Sequence, residues 1–204
     1  MHALVESGFI TKIFSNPKGF ILNDIQYPQD IFYKWTKDEK EAIGIYEVIT
    51  DSSNFKDKAY YNNTNEEYTF TDNQVVRSWG TATPKRLEDE NAVDENGDPI
   101  LDDDGKQIIN YGLKTEKKRI IKDQASGLLA PTDWYVVKAT EVADYNVPEN
   151  ITTFRADVRS KSNEMETQID ACTNVDELKA LYEYTEQEDG TITRPLAEFP
   201  VLES

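Results

Sequence analysis

The spacing of apolar residues changes along the chain, from short strand-like runs before residue 85 to helical stripes after residue 113. Early on, Gly8-Phe9-Ile10-Thr11-Lys12-Ile13-Phe14 and Gly19-Phe20-Ile21-Leu22 read as strands, and Asn16-Pro17-Lys18-Gly19 between them predicts a hairpin turn. Residues 42–49, 58–61, 68–70 and 74–79 continue the strand pattern, separated by loops rich in Asn, Asp and Ser. Pro28 and Asp30 suit a helix start, so 28–35 predicts one or two helical turns.

Later, Phe154, Val158, Met165, Ile169 and Cys172 fall at intervals of four, seven, four and three, which is one stripe of a helix. Leu178 and Leu181 face inward from a second, shorter helix. Thr173 and Asp176 mark its start at capping-box spacing, with Asp in place of the usual Glu. From Thr115 onward, Ile120, Ile121, Leu128 and Leu129 recur at helical intervals with Lys117, Lys118, Lys122 and Gln124 outward or flanking. Pro131 ends that helix so that Thr132 or Asp133 caps the next. Trp134 and Val137, one turn apart, are expected to seat against the Phe154 stripe in a three-helix core; the alternative makes Trp134 an exposed partner anchor. Arg155 and Arg159 share a face, placed either for an acidic partner or for pairing with Asp157, Glu164 or other local acids.

These patterns predict an α+β protein. They place a β-rich domain at 1–85, an acidic hairpin insertion at 86–112, a helical hairpin or three-helix module at 113–184 and an extended tail at 185–204. Residues 86–107 carry nine acids against Arg86 and Lys106, a net of −7, and Lys114, Lys117, Lys118, Arg119 and Lys122 follow at once. A solvated acidic loop beside a basic helix start is the simpler reading, and a two-signed docking patch the sharper one. Asp94, Asn96 and Asp98 have the spacing of a calcium loop's first ligands. Pro99 stands where that loop needs Gly, however, and Gly105 where it needs Glu, so a turn-rich ribbon built on Asn96-Gly97 and Asp104-Gly105 is favoured.

The net charge of −17 argues against a surface that grips nucleic acid. No apolar run reaches the roughly 20 residues of a membrane span, and the first residues lack a signal-like core. Cys172 is the only cysteine, which excludes a disulfide framework and reads as a packed thiol. His2 is the only histidine and is expected at a mobile terminus, so neither a triad nor a histidine-metal site assembles readily. Phosphate-loop and dinucleotide glycine motifs are absent. These readings predict neither catalytic residues nor a cofactor or metal.

Phe32, Tyr33, Trp35, Tyr46, Tyr60, Tyr61, Tyr68, Phe70 and Trp79 crowd the β-rich part. Core packing explains most of them, with a carbohydrate or peptide groove as the alternative. In the tail, Asp189-Gly190 predicts a turn. Leu196, Phe199, Pro200, Val201 and Leu202 then either fold back on the helices or add to another subunit.

The segment from Leu128 through Leu129, Ala130, Pro131, Thr132, Asp133 and Trp134 to Tyr135, followed by Val147-Pro148 and by Phe154-Arg155 with Arg159, resembles the C-terminal module of bacteriophage tail assembly chaperones and tail-fibre assembly proteins. Pro131 departs from that pattern. The resemblance covers about a quarter of the chain and implies a binding protein, not an enzyme, whose partner is a phage tail or tail-fibre subunit and whose place is the host cytoplasm during assembly or the virion tail. A structural virion protein retained at a fibre or baseplate junction is the alternative, and a carbohydrate-binding module a further one. Trp134, Tyr135, Arg155, Arg159, Phe199 and Leu202 are the expected partner-binding residues, and self-association stays open.

Overall fold

The computed structural model describes residues 1–202. The chain is α+β and divides into two units, Met1–Pro84 and Lys85–Ser204.

Three two-residue turns set strand pairing in the first unit. Ser7-Gly8 joins β1 (His2–Glu6) to β2 (Phe9–Phe14), and Asn23-Asp24 joins β3 (Phe20–Leu22) to β4 (Ile25–Tyr27). All four turn residues have positive φ, the backbone that matches the twist of a tight hairpin. The predicted hairpin across Asn16-Pro17-Lys18-Gly19 does not form, because each of its strands pairs across the nearer positive-φ dipeptide. One helical turn, α1 (Ile31–Lys34), and α2 (Lys37–Ala42) follow, and a reciprocal Thr36/Glu39 capping box starts α2. That helix takes the front of the predicted 42–49 strand, so β5 runs only Ile45–Thr50. Between them Gly44 has φ +82 and its carbonyl accepts the Val5 N–H at 2.8 Å, an approach so close that an added Cβ would lie 2.5 Å from the Val5 carbonyl oxygen.

Of 58–61 only Tyr61 pairs, in β6 (Tyr61–Asn62), with the later β9 (Thr83–Pro84). The third tight turn, Asp72-Asn73, joins β7 (Glu67–Thr71) to β8 (Gln74–Ser78). The main sheet has the order β2-β1-β5-β8-β7, antiparallel except for β5 beside β8. Its two edges approach each other, and Ile10 and Ile13 of β2 share a cluster with Tyr68 and Phe70 of β7 around buried Ala3, Val5 and Val75. The other face packs Leu4, Phe14 and Ile45 against Phe20, Ile31 and Phe32. Each such fully buried side chain contributes about 1.5–3 kcal/mol. Most of the aromatic crowd is therefore core, Tyr33 being the exposed exception.

In the second unit, β10 (Glu90–Asn91) pairs with β11 (Ile109–Asn110) at the base of the acidic ribbon. α3 (Leu113–Leu129) leaves through Gly112, whose N–H donates to the Asp89 carboxylate while Leu113 and Lys114 N–H donate to the Arg86 and Leu87 carbonyls. Three of the free donors at the helix start are thereby met. A 3₁₀ turn (Ala130–Thr132) leads to α4 (Asp133–Glu141), and α5 (Glu149–Ala171) runs back antiparallel to α3. The predicted stripe of α5 is buried, joined by Ile151, Arg155 and Ser162. Ile120 lies outward instead, and Lys114 takes an inward position, its ammonium held by Glu88 and the Asp170 carbonyl. α6 (Val175–Ala180) starts one residue later than its predicted cap: Asn174 receives the Glu177 N–H, and Glu177 in turn accepts from Thr173.

The tail folds back over part of its length. After the small hairpin of β12 (Thr185–Glu186) and β13 (Ile192–Thr193), Leu196 is buried and bonded to the Leu181 carbonyl, and Phe199 packs on Ala125, Phe154 and Val158. Val201 remains 86% exposed.

Candidate functional site

Pro131 has no N–H, so α3 cannot run through it, and the chain tightens into the 3₁₀ turn before restarting as α4. The Asp133 N–H bonds to Ala130, one residue short of the α-helical partner, leaving the Leu129 carbonyl to side chains. Thr132 donates its hydroxyl to that oxygen at 2.7 Å, and Arg155 Nη1 donates to it at 2.9 Å. The same guanidinium bonds Thr132 Oγ1 at 2.5 Å and the Asp133 carboxylate at 2.8 Å. Neither Thr132 nor Asp133 makes the predicted side-chain cap, since both are committed to this clasp. Asp133 nonetheless adds negative charge at the positive end of α4.

Arg155 is only 9% exposed and pairs internally, with Asp133 and neither of the two acids named from the sequence, Asp157 and Glu164. Its side chain is an interior fastener and not a free partner contact. Arg159, one turn on, is exposed; its Nη1 donates to the Arg155 carbonyl at 3.1 Å, and no carboxylate lies within 4 Å of it among the described residues.

The clasp turns α4 outward. None of its residues is buried. Trp134 and Val137, expected against the α5 stripe, are 51% and 52% exposed, because Ala125, Leu128, Leu129 and Phe199 already cover Phe154 and Val158. The Trp134 ring lies 3.8 Å from the Tyr135 ring, centre to centre, and Lys138 Nζ sits 4.2 Å over the Tyr145 ring. Such an isolated nine-residue helix is marginal in water on its own.

Two clefts border this region. One, of about 350 Å³, is lined by Val136, Val147, Thr152, Arg155, Ala156 and Arg159. The other, of about 830 Å³, lies between the start of α5 and the tail, where Glu149, Asp157 and Leu202 contribute. Of the expected contact residues, Trp134, Tyr135 and Arg159 thus gather around α4, Leu202 lines the second cleft, and Phe199 is spent on the core of its own unit.

The acidic ribbon carries a pattern that the turn signals alone did not reveal. Val93-Asp94-Glu95-Asn96-Gly97-Asp98-Pro99-Ile100 and Leu101-Asp102-Asp103-Asp104-Gly105-Lys106-Gln107-Ile108 are successive eight-residue copies with Asp, Gly and Ile in register. Asp94 Oδ1 accepts the Asn96 and Asp98 N–H groups, both at 2.9 Å, and Asp102 Oδ1 accepts those of Asp104 and Lys106 at 3.0 and 2.8 Å. The ribbon closes on itself, since Ala92 N–H donates to Ile108, Ile108 to Ile100 and Ile100 to Ala92. Gln107 Nε2 reaches all three carbonyls, at 2.7 Å (Ala92), 2.9 Å (Ile108) and 3.1 Å (Ile100). The amides of Asp98 and Asn96 hold the Asp94 carboxyl below its ordinary value. Its first calcium-like ligand is therefore occupied by its own backbone. Of the basic run, Lys118 pairs with Asp170 and Lys122 with Glu166 on α5, while Lys114 holds Glu88 of the acidic stretch.

The chain's single histidine and single cysteine belong to different units. His2 is buried on β1, not at a loose terminus; burial first, then Lys40, lowers its pKa. Burial pushes the Cys172 thiol up, away from the reactive thiolate. Trp35 and Trp79 have ring partners within the chain, Tyr27 at 6.0 Å and Phe55 at 4.8 Å. No helix among the described residues is long and apolar enough to cross a membrane. No family model, no curated protein and no solved structure matches the chain.

Proposed function

We propose that this chain is a non-enzymatic phage tail or tail-fibre assembly factor that binds and positions a tail or fibre subunit. The observation that carries the reading is the clasp. Residues of the one stretch that resembles such factors sort into a clasp set, buried Thr132 and Arg155 with the Leu129 carbonyl and the solvated Asp133 carboxylate, and an outward set, exposed Trp134 and Arg159 with half-buried Tyr135. A motif with no contact role has no need to hold Trp134 half in water against the Tyr135 ring, where aromatic anchors of protein contacts are typically found. The work is binding, in the host cytoplasm during assembly, with a protein partner and without nucleic acid, membrane or cofactor.

Quantitative mass spectrometry of purified virions against infected lysate tests this. Abundance in the lysate with absence from virions is the expected result for a departing assembly factor. A fixed, symmetric ratio to the major tail protein in virions would replace it with a retained junction component.

A further inference from the structure

Resting on that reading, we infer that the cleft between α4 and α5 takes a mostly apolar peptide segment of the partner, with a single carboxylate seated on Arg159. The cleft is lined by Val136, Val147, Ala156 and the Thr152 side chain, and its only charged lining residues are two arginines. Arg155 is consumed by Asp133, Thr132 and Leu129, which leaves one guanidinium to offer.

In a chain with 39 acids and 22 cations, Arg159 keeps a guanidinium with no carboxylate within 4 Å among the described residues, so the apolar cleft carries one cation that no acid neutralises. Charge complementarity therefore selects an anion. The identity of that anion follows from two further facts. The overall charge of −17 repels polyanions, which disfavours nucleic acid and strongly acidic tails. The walls offer Val and Ala where a phosphate or a solvated acid cluster would need more donors. A carboxylate flanked by aliphatic or aromatic side chains meets both conditions, its charge accepting from Arg159 and its neighbours covering Val136 and Val147. Val136 also belongs to the exposed surface of α4, so an elongated occupant continues onto that helix instead of ending in the cleft.

Selection of random short peptides on the full chain tests the assignment. The expected result is enrichment of sequences that place one Asp or Glu among apolar residues. Their binding should weaken about tenfold with Arg159→Met, weaken less with Arg159→Lys, and be unchanged with Arg119→Met. Val136→Ser should weaken the same peptides, and unchanged helical circular dichroism in each variant keeps the comparison on the surface. No enrichment, enrichment without acids, or equal binding to the Arg159→Met chain overturns the inference. Self-association in sedimentation that is lost with Arg159→Met also overturns it, in favour of a second copy as occupant. These results are independent of virion composition, so the cleft can fail while the assembly role stands, and the reverse.

Discussion

Arg155 shows why charge alone does not mark a contact residue. Its fork meets three acceptors of different kinds, a carbonyl, a hydroxyl and a carboxylate, in a geometry that an ammonium cannot reproduce. Asp133 is largely solvated, so the ion pair itself adds little. The larger cost of removal is the orphaned Leu129 carbonyl and the space left behind. Arg155→Met is expected to destabilise the helical unit by about 2–3 kcal/mol, with Arg155→Lys recovering only part. Urea unfolding followed by circular dichroism measures this, and a loss below about 0.5 kcal/mol would mean that water replaces the fork at little cost. Arg159→Met, by contrast, should leave stability nearly unchanged, since it removes only one additional bond to a helical carbonyl.

At the scale of elements, periodicity made α5 legible because Phe154, Val158, Met165 and Ile169 form a stripe that only one face of a helix can bury. The strands of 68–79 were equally plain. Strand partners were not, because Asn16-Pro17-Lys18-Gly19 is a good turn sequence while Ser7-Gly8 and Asn23-Asp24 have the positive φ that a two-residue hairpin requires. The outward turn of α4 was hidden for another reason: an amphipathic Trp-Val spacing reads the same whether its apolar side meets a core or a partner. The ribbon's eight-residue repeat was present in the letters, but its three-way closure depends on Gln107, whose role no spacing rule describes. Equivalent bonding predicts equivalent loss: Asp94→Ala and Asp102→Ala should each release the amides of their own turn, and Gln107→Leu should weaken the Ala92, Ile100 and Ile108 bonds together. Hydrogen exchange at those amides measures it. Protection of all three unchanged by Gln107→Leu would show that the backbone bonds suffice alone. The Asp94 carboxyl is held below its ordinary value, so its contribution is present above the unfolded pKa of 3.8 and is lost as pH falls through the lower folded value.

For the whole molecule, acidification sets two effects against each other, and the single histidine separates them in pH. The excess of carboxylates makes the folded chain repel itself at neutral pH, and protonation near the sequence pI of 4.4 relieves that repulsion. Glu39, Asp51, Glu66, Glu177 and Asp189 oppose the relief, since hydrogen bonds hold each below its ordinary value and favour the folded state only while they are charged. Above that range the side chain with an ordinary titration point is His2, at 6.5. Burial, Lys40 and the N-terminal amine lower its folded value, and Glu47 only partly offsets them. The unfolded chain therefore takes up a proton before the folded one does. Stability is complete above pH 6.5 and declines as pH falls from there toward the folded pKa, the opposite sense to the later relief of carboxylate repulsion. Thermal unfolding should thus show Tm falling as pH drops below 6.5, with the fall removed by His2→Gln, while the response nearer the pI persists in both chains. A fall of equal size in the His2→Gln chain would assign it to the carboxylates instead. That result would mean the field of the whole surface, and not one desolvated ring on β1, governs the first response to acid.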